Sequence, residues 1–474
     1  MSKTNCVILA AGEGKRMFAR SSKVLCEIAY KPMILWVTDA ALNAGVDSIC
    51  AVVSDDDVRA VLPESCEVRY QKERLGTGHA VLTAEDYLEQ HKDEDTLILY
   101  GDVPFMDSET IIESLQVHRG SGAAVTVISA VVDDPTGYGR IVRAGGRLRE
   151  IVEELDCDDI TRSIKEINSG AAWFKTKNLI DAIKRINNNN ARGEYYLTDA
   201  IGILIAEGEQ AECYRSASPL VALGVNKPID LLNMNDMAKE KMLRHHLDRG
   251  VRFVSRDGIV ISPDVEIEAG ATILPGTVLY GKTKIGRDSV IGPNSLLFNV
   301  TIGERTVFNE SQGYNSVVGS DAKIGPFVQL RPNCRIGDLV KIGDFVEIKN
   351  SNIGEGTSIS HLTYIGDADV GEYCNFGCGT VFVNYDGEKK NRTTVKDFAF
   401  IGCNTNLIAP VTVGRAAFTA AGTTVTKDVP DGALALDRGT LIFKEGWGER
   451  KLRSYIEKKT LIKEENEKKR EENK

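Results

Sequence analysis

The chain has 474 residues, more than one ordinary core accommodates, so two or more domains are expected. Hydrophobic residues make up 42% and charged ones 27%, the usual balance of a soluble globular protein. The formal net charge of −10 argues against a nucleic-acid binder dominated by phosphate contacts, but leaves room for local basic sites that hold small anions.

In chain order, "CVILAAG", "SICAVVS", "TLILYGD" and "AAVTVISAVV" read as buried strands, with "MILWVTDAALNAG" and "GHAVLTAEDYLEQHK" as helices between them. This alternation over residues 1–228 predicts an α/β domain, Rossmann-like, with a mostly parallel sheet and ligands at the carboxyl ends of its strands. "IDLLNMNDMAKEKMLRHHLDRG" has helical periodicity and predicts a linker helix over 229–250. From 251 to 444 a hexapeptide repeat takes over. Ile261, Ile267, Ile273, Leu279, Ile285, Ile291 and Leu297 keep a spacing of six, as do Val318, Ile324, Leu330, Ile336, Ile342 and Ile348. Shorter runs follow at Ile353, Ile359 and Ile365, and at Ile401, Leu407 and Val413. Such a period signals a parallel β-helix in which each short strand turns one aliphatic inward, and the glycines of the repeat read as coil corners. Residues 445–474 carry both signs of charge and read as a solvated helical tail. No signal peptide is visible and no apolar stretch is long enough to span a bilayer. Ten scattered cysteines suit free thiols in a reducing, cytoplasmic compartment.

"CVILAAGEGKRM" is a strand, a turn of small residues and then cations at Lys15 and Arg16, with Lys23 following. Ala10, Ala11 and Gly12 would let backbone N–H groups approach a phosphate chain whose charge Lys and Arg neutralise. The Walker spacing is absent, and a glycine-rich turn after a strand is by itself more often only a turn. "LILYGDVPF" adds a carboxylate, Asp102, at a strand's carboxyl end, where it can hold Mg²⁺ against a phosphate. "QKERLGTGHA" adds Gln71, whose amide can read a base edge, and a Gly76-Thr77 turn that opens a helix. Asn226 in "GVNKP" is a second metal ligand or an ordinary cap.

In the repeat, Arg331 and Lys349 stand where glycine otherwise follows the aliphatic. Three hexapeptides make one triangular coil of 18 residues, and these cations are 18 apart, so they are expected on one edge in adjacent coils, about 4.8 Å apart at the backbone. Stacked cations repel unless an anion or carboxylate lies between them, which points to a phosphate clamp, with Glu347 or Asp344 as the bland alternative. His361 is the only histidine after residue 247, and imidazole is the usual general base near neutral pH. It lies two hexapeptides beyond Lys349, two-thirds of a coil, and so on a different edge of the same chain. A site joining those edges could be completed by a neighbouring chain. "NYDGEKKN" interrupts the repeat and predicts a projecting loop.

The set "LAAGEGKRM", "SSKVL", "QKERLGTGHA", "LYGDVPF", "GYGRIV", "IVEE", "EINSG", "GEYYLTD" and "GVN" resembles the sugar-1-phosphate nucleotidyltransferases. With the hexapeptide half, the chain resembles the bacterial bifunctional N-acetylglucosamine-1-phosphate uridyltransferase / glucosamine-1-phosphate N-acetyltransferase family, in order from about residue 5 to Trp447. The resemblance implies a left-handed β-helix, UTP and acetyl-CoA as substrates, Mg²⁺ as cofactor and a homotrimer. It implies that Leu9, Ala10, Ala11, Gly12, Arg16 and Lys23 hold the nucleotide phosphates, that Gln71, Gly76 and Thr77 meet uracil and its surroundings, and that Asp102 and Asn226 bind Mg²⁺. Tyr100, Gly101, Gly139, Glu153 and Asn168 would line the sugar side. Arg331, Lys349, Tyr364, Asn375 and Lys390 match glucosamine 1-phosphate positions. His361 matches the general base. Cys378, Asn384, Tyr385, Cys403, Ala421 and Arg438 match acetyl-CoA positions. The chain departs from the family at Lys15 (usually Thr), Ser22 (usually Pro), Cys378 (usually Ala) and Cys403 (usually Ser). The competing reading is a nucleotidyltransferase of single activity whose β-helix serves assembly or regulation.

Overall fold

The computed structural model describes residues 3–12, 22–190, 193–439 and 443–471. The chain forms two compact units, residues 1–321 and 322–474.

In the first unit the strand Thr4–Ala10 is buried along its whole length. Its side chains alternate between two cores, as a period of two requires. Cys6, Ile8 and Ala10 pack with Ile34 and Val37 of the helix Met33–Asn43 on one face. Val7 and Leu9 pack with Ala80, Val81 and Leu88 on the other. A strand buried on both faces reads as an unbroken apolar run, which is why "CVILAA" shows no alternation. The strand pairs in parallel with Ser48–Val53 on one side and Asp95–Tyr100 on the other. Across the sheet the order is Ala211–Arg215, Val125–Val131, Glu166–Lys175, Asp95–Tyr100, Thr4–Ala10, Ser48–Val53, Glu67–Tyr70. Glu166–Lys175 runs antiparallel to both neighbours and also pairs with the hairpin Arg140–Ala144/Arg147–Val152, so the sheet is mixed. The stretch expected as one helix after Gly76 is two, Thr77–Thr83 and Glu85–Gln90, broken at Ala84.

The helix Pro228–Leu247 begins with proline at its first turn. Asp230 Oδ2 accepts from the N–H groups of Asn226 and Lys227, each at 2.8 Å, which satisfies donors that a helix start leaves open. The first coils of the β-helix follow. Ile261 pairs with Leu279, one full coil on, and the inward aliphatics Ile261, Ile273, Leu279, Ile285, Ile291 and Leu297 are buried.

The second unit is built of coils of the same kind. Leu330 pairs with Ile348 across a coil of three whole hexapeptides, and Ile336 with Ile353 across a slightly shorter one. Val370 pairs with Val395 across a longer coil, which carries the projecting loop. The glycines that follow the aliphatics at 337 and 343 are not the corners, although glycine does take the left-handed corner at Gly356 and Gly379. Left-handed backbone falls at Phe327, Asn333, Leu339, Phe345 and Asn350, with φ between 47° and 67°. Gly337 and Gly343 are needed for a different reason: a Cβ there would stand 2.8 Å from Glu355 N and 2.3 Å from Ser360 O of the next coil. The helix Trp447–Glu471 closes the chain with its described side chains exposed. No helix among the described residues is long and apolar enough to cross a membrane.

Candidate active sites

The carboxyl ends of Thr4–Ala10 and Asp95–Tyr100 open into two adjoining cavities. One, about 620 Å³, is lined by Leu9, Ala11, Gly12, Lys23, Gln71, Gly76 and Thr77. The other, about 270 Å³, is lined by Gly139, Glu153 and Asn168 among others. Thr77, Tyr100, Asp102, Glu194 and Asn226 line both, so Asp102 stands where the two meet. Ala10 and Gly101, expected at the site, line neither cavity and pack behind it: Gly101 N donates to Leu9 O at 2.9 Å, and a Cβ at 101 would come within 3.2 Å of Ala10 Cβ. Lys15 and Arg16 lie outside the described residues.

Lys23 is buried, and its ammonium ion-pairs with Asp102 Oδ2 at 2.5 Å and donates to Asn226 Oδ1 at 3.1 Å. The backbone holds these groups together. Val225 N donates to Asp102 O at 3.0 Å, and Asp230 fixes Asn226 from below. Gln71 is buried and spends its Nε2 on Gly76 O at 3.3 Å and on His79 Nδ1 at 3.0 Å. Gly76 has φ +116°, and a Cβ would stand 2.5 Å from Tyr195 O, so only glycine fits the turn. Thr77 Oγ1 accepts from Leu197 N at 3.1 Å. Burial pushes the Tyr100 phenol well above its ordinary pKa, so it stays a neutral donor or acceptor between the cavities. On the sugar side, Asn168 N donates to Gly139 O at 2.8 Å, and Thr198 Oγ1 donates to Glu153 Oε1 at 3.4 Å. Sequence reasoning missed Arg74, which lines the larger cavity, and Glu194, which lines both. Both fall inside quoted motifs, so only their roles went unread.

In the second unit, Arg331 N donates to Ile348 O at 2.8 Å, which sets Arg331 beside Lys349 on adjacent coils as the spacing of one full coil requires. Arg331 Nη1 pairs with Glu347 Oε1 at 2.8 Å. The ammonium of Lys390 lies beside that of Lys349 and holds it below the usual lysine pKa, with desolvation and the charge of Arg331 acting the same way. Lys390 reaches this place because "NYDGEKKN" folds back on itself. Tyr385 bridges Lys390 across the loop, and Asp386 Oδ1 accepts from Glu388 N at 2.9 Å and Lys389 N at 2.8 Å. Tyr364 joins the cluster through Asn384, whose Nδ2 donates to Tyr364 OH at 3.4 Å and to Asp367 Oδ2 at 2.6 Å. Asn384 and Asp367 are buried. Asp367, which sequence reasoning missed, also accepts from Asn350 Nδ2 at 2.6 Å.

His361 and Asn375 lie on another face. His361 pairs with Asp344, and Asn375 pairs with Ser358, in a sheet separate from that of Lys349 and Tyr364. The left-handed corner at Leu362 divides the two. Cys378, Cys403 and Ala421 rise along one corner in successive coils: Asn404 N donates to Cys378 O and Gly422 N donates to Cys403 O, each at 2.8 Å. Cys403, Ala421 and Tyr385 are exposed, as is Arg438 beyond the last coil strand.

Two family models divide the chain along the same lines. Residues 6–170 match a MobA-like NTP transferase domain, and residues 264–299 and 315–350 match the bacterial transferase hexapeptide. Fold and matches define a nucleotidyltransferase fused to a hexapeptide-repeat transferase. Whole-length relatives share both halves. The "Bifunctional protein GlmU" of Geobacillus sp. (strain WCH70) is 45% identical over 453 residues, covering 95% of this chain and 98% of the relative. Those of Brevibacillus brevis and Acetivibrio thermocellus are each 44% identical, covering 92% and 93% of this chain and 95% and 96% of the relatives. The chain belongs to the GlmU family, and it is a bifunctional enzyme with uridyltransferase and acetyltransferase activities.

Proposed function

We propose that the β-helix half moves the acetyl group of acetyl-CoA to the amine of glucosamine 1-phosphate, and that the sheet domain of residues 1–228 then joins the product to UTP. UDP-N-acetylglucosamine forms and pyrophosphate leaves. The observation that carries the second step is the convergence of Lys23, Asp102 and Asn226 where two cavities meet, one sized for a nucleotide and one for a sugar. There the sugar phosphate oxygen attacks the α-phosphorus in line, and the catalysis comes from positioning and charge. The turn from Leu9 to Gly12 turns backbone N–H groups to the phosphates, and Lys23 supplies a cation. With its N–H₂ already engaged, Gln71 offers its amide oxygen to an N–H of the base. Glu153, Asn168 and Gly139 border the sugar.

Asp102 and Asn226 fit Mg²⁺. Their oxygens already converge on one positive charge, the Lys23 ammonium, and one carboxylate plus one amide oxygen is the small protein share that Mg²⁺ takes when phosphates and water complete its shell. No group of three His, Cys, Asp or Glu side chains among the described residues makes an all-protein cage. Bound there, Mg²⁺ supplies charge stabilisation at the phosphates.

In the acetyl half, Arg331, Lys349 and Lys390 take the sugar phosphate and Tyr364 borders it, while Asn384 belongs to the acetyl-CoA side. His361 accepts the amine proton as nitrogen attacks the thioester carbonyl, and the CoA thiolate leaves. Cys378, Cys403 and Ala421 line the path of CoA along their corner. Since His361 and Asn375 lie across a corner from the cation cluster, a homotrimer in the cytoplasm is the working form, each site joining faces of two neighbouring chains. Assaying both half-reactions in His361→Ala tests the division of labour. Acetyl transfer should fall about 100- to 10,000-fold. Uridylyl transfer should persist. Equal loss of both would refute the assignment.

A further inference from the structure

The segment "SKVLCEIAYKPM" ties the uridylyl site to the first coils of the β-helix. It opens with the single 3-10 turn Lys23–Leu25 and continues into the hairpin Glu27–Ile28/Lys31–Pro32. Two hydrogen bonds link them: Cys26 N donates to Lys23 O, and Met33 N donates to Cys26 O, each at 3.0 Å. The hairpin tip is Ala29-Tyr30, both left-handed, with φ 48° and 62°. Such two-residue turns call for Asn-Gly, and residues without that freedom keep the conformation only where the surroundings over-determine it.

The surroundings do so on three sides. Ala29 N donates to Asn235 Oδ1 of the helix Pro228–Leu247 at 2.9 Å. The Tyr30 ring stacks on Tyr280, centroids 4.6 Å apart at 28°, and Tyr280 stacks in turn on Phe298 at 4.6 Å. Lys31, 6% exposed, ion-pairs with Asp264 Oδ1 at 2.6 Å and with Asp39. A buried ammonium holds its place only while its carboxylates do, so Asp264 fixes the hairpin strand as well as the charge. Asp264 and Tyr280 belong to the coils, yet every one of these contacts bears on the segment that presents Lys23 to Asp102.

We infer that Asp264 and Tyr280 are positioning residues for uridylyl transfer, holding the hairpin so that Lys23 meets the nucleotide phosphates. The inference rests on the assignment of Lys23 to those phosphates. The test measures both half-reactions of the full-length chain in Asp264→Asn, Tyr280→Ala, Tyr280→Phe and Lys23→Met. Asp264→Asn and Tyr280→Ala should each lower kcat/KM for UTP by about tenfold or more, the range seen when a group that orients a ligand-binding residue is lost. Acetyl transfer should stay within about twofold of wild type, and Tyr280→Phe, which keeps the stack, should restore uridylyl transfer. Loss in Lys23→Met with wild-type kinetics in Asp264→Asn and Tyr280→Ala would overturn the positioning role alone. Wild-type kinetics in Lys23→Met would overturn the Lys23 assignment and this inference together. Parallel loss of both activities, or a Tyr280→Phe as impaired as Tyr280→Ala, would reduce these contacts to ordinary structure.

Discussion

Ser22 stands where the family resemblance leads to the expectation of proline. Its φ is −54° and ψ 138°, inside the range that a pyrrolidine ring imposes, and its Oγ is buried with no hydrogen-bond partner among the described residues. Ser22→Pro therefore costs no backbone rearrangement at residue 22 and removes an unsatisfied oxygen. It should stabilise the chain by about 0.4–1 kcal/mol through the unfolded state, read as a rise in the thermal midpoint. At the other site, Lys349 sits beside Lys390 and Arg331, the crowding of cations on which the proposed anion site rests. Lys349→Ala should raise the KM for the sugar phosphate about tenfold or more, the worth of one charge-assisted hydrogen bond, and leave the thermal midpoint nearly unchanged. Asp102→Ala should cut uridylyl transfer about 100-fold in Mg²⁺, since the remaining Asn226 carries no charge to pair with it. The sequence made Arg331 and Lys349 legible as a pair because the repeat fixes the length of a coil, and length alone then sets which residues stack. No such ruler existed for Lys23 and Asp102, or for Asp367 and Asn384. Their meetings depend on strand order and on an inserted loop.

Among elements, the contrast between glycine and corner shows where pattern reading stops. Glycine after each aliphatic looks like a turn signal. The chain instead turns at residues such as Phe345 and Asn350, and needs glycine at 337 and 343 because the next coil lies against them. Periodicity reports that a position is special without reporting whether torsion or clearance makes it so. The helix break at Ala84 escaped for a related reason, since "GHAVLTAEDYLEQHK" keeps helical composition through the break. The alternation of strands and helices did convey the sheet domain, but not the antiparallel run of Glu166–Lys175, because a strand buried on both faces looks alike in either direction.

For the whole molecule, acid stability should have two stages. Burial pushes His246 down to about 4 from 6.5, with the neighbouring His245 and Arg249 adding to the effect. Between those values the unfolded chain binds a proton that the folded chain refuses, so this contribution is complete above pH 6.5 and is lost as pH falls toward 4. Glu166 is buried, which alone would raise it, but hydrogen bonds from Arg143, Arg215 and Ser129 hold it at about 2. Its contribution is complete above pH 4.5 and lost as pH falls toward 2. His246→Leu should flatten the fall in thermal midpoint between pH 6.5 and 4, worth up to about 3 kcal/mol, and leave the lower stage in place. An unaltered upper stage would place its origin elsewhere.

The coil from Val370 to Val395 is longer than the coils before it, yet the strands on either side of it stay paired. The stack counts rungs, not residues. Slack between two rungs is invisible to the next one, so the loop that brings Lys390 home can lengthen, shorten or change its chemistry while every inward aliphatic keeps its partner. On the proposed assignment of Lys390, the acceptor side is thus open to revision within one short insertion, with the scaffold indifferent to the outcome.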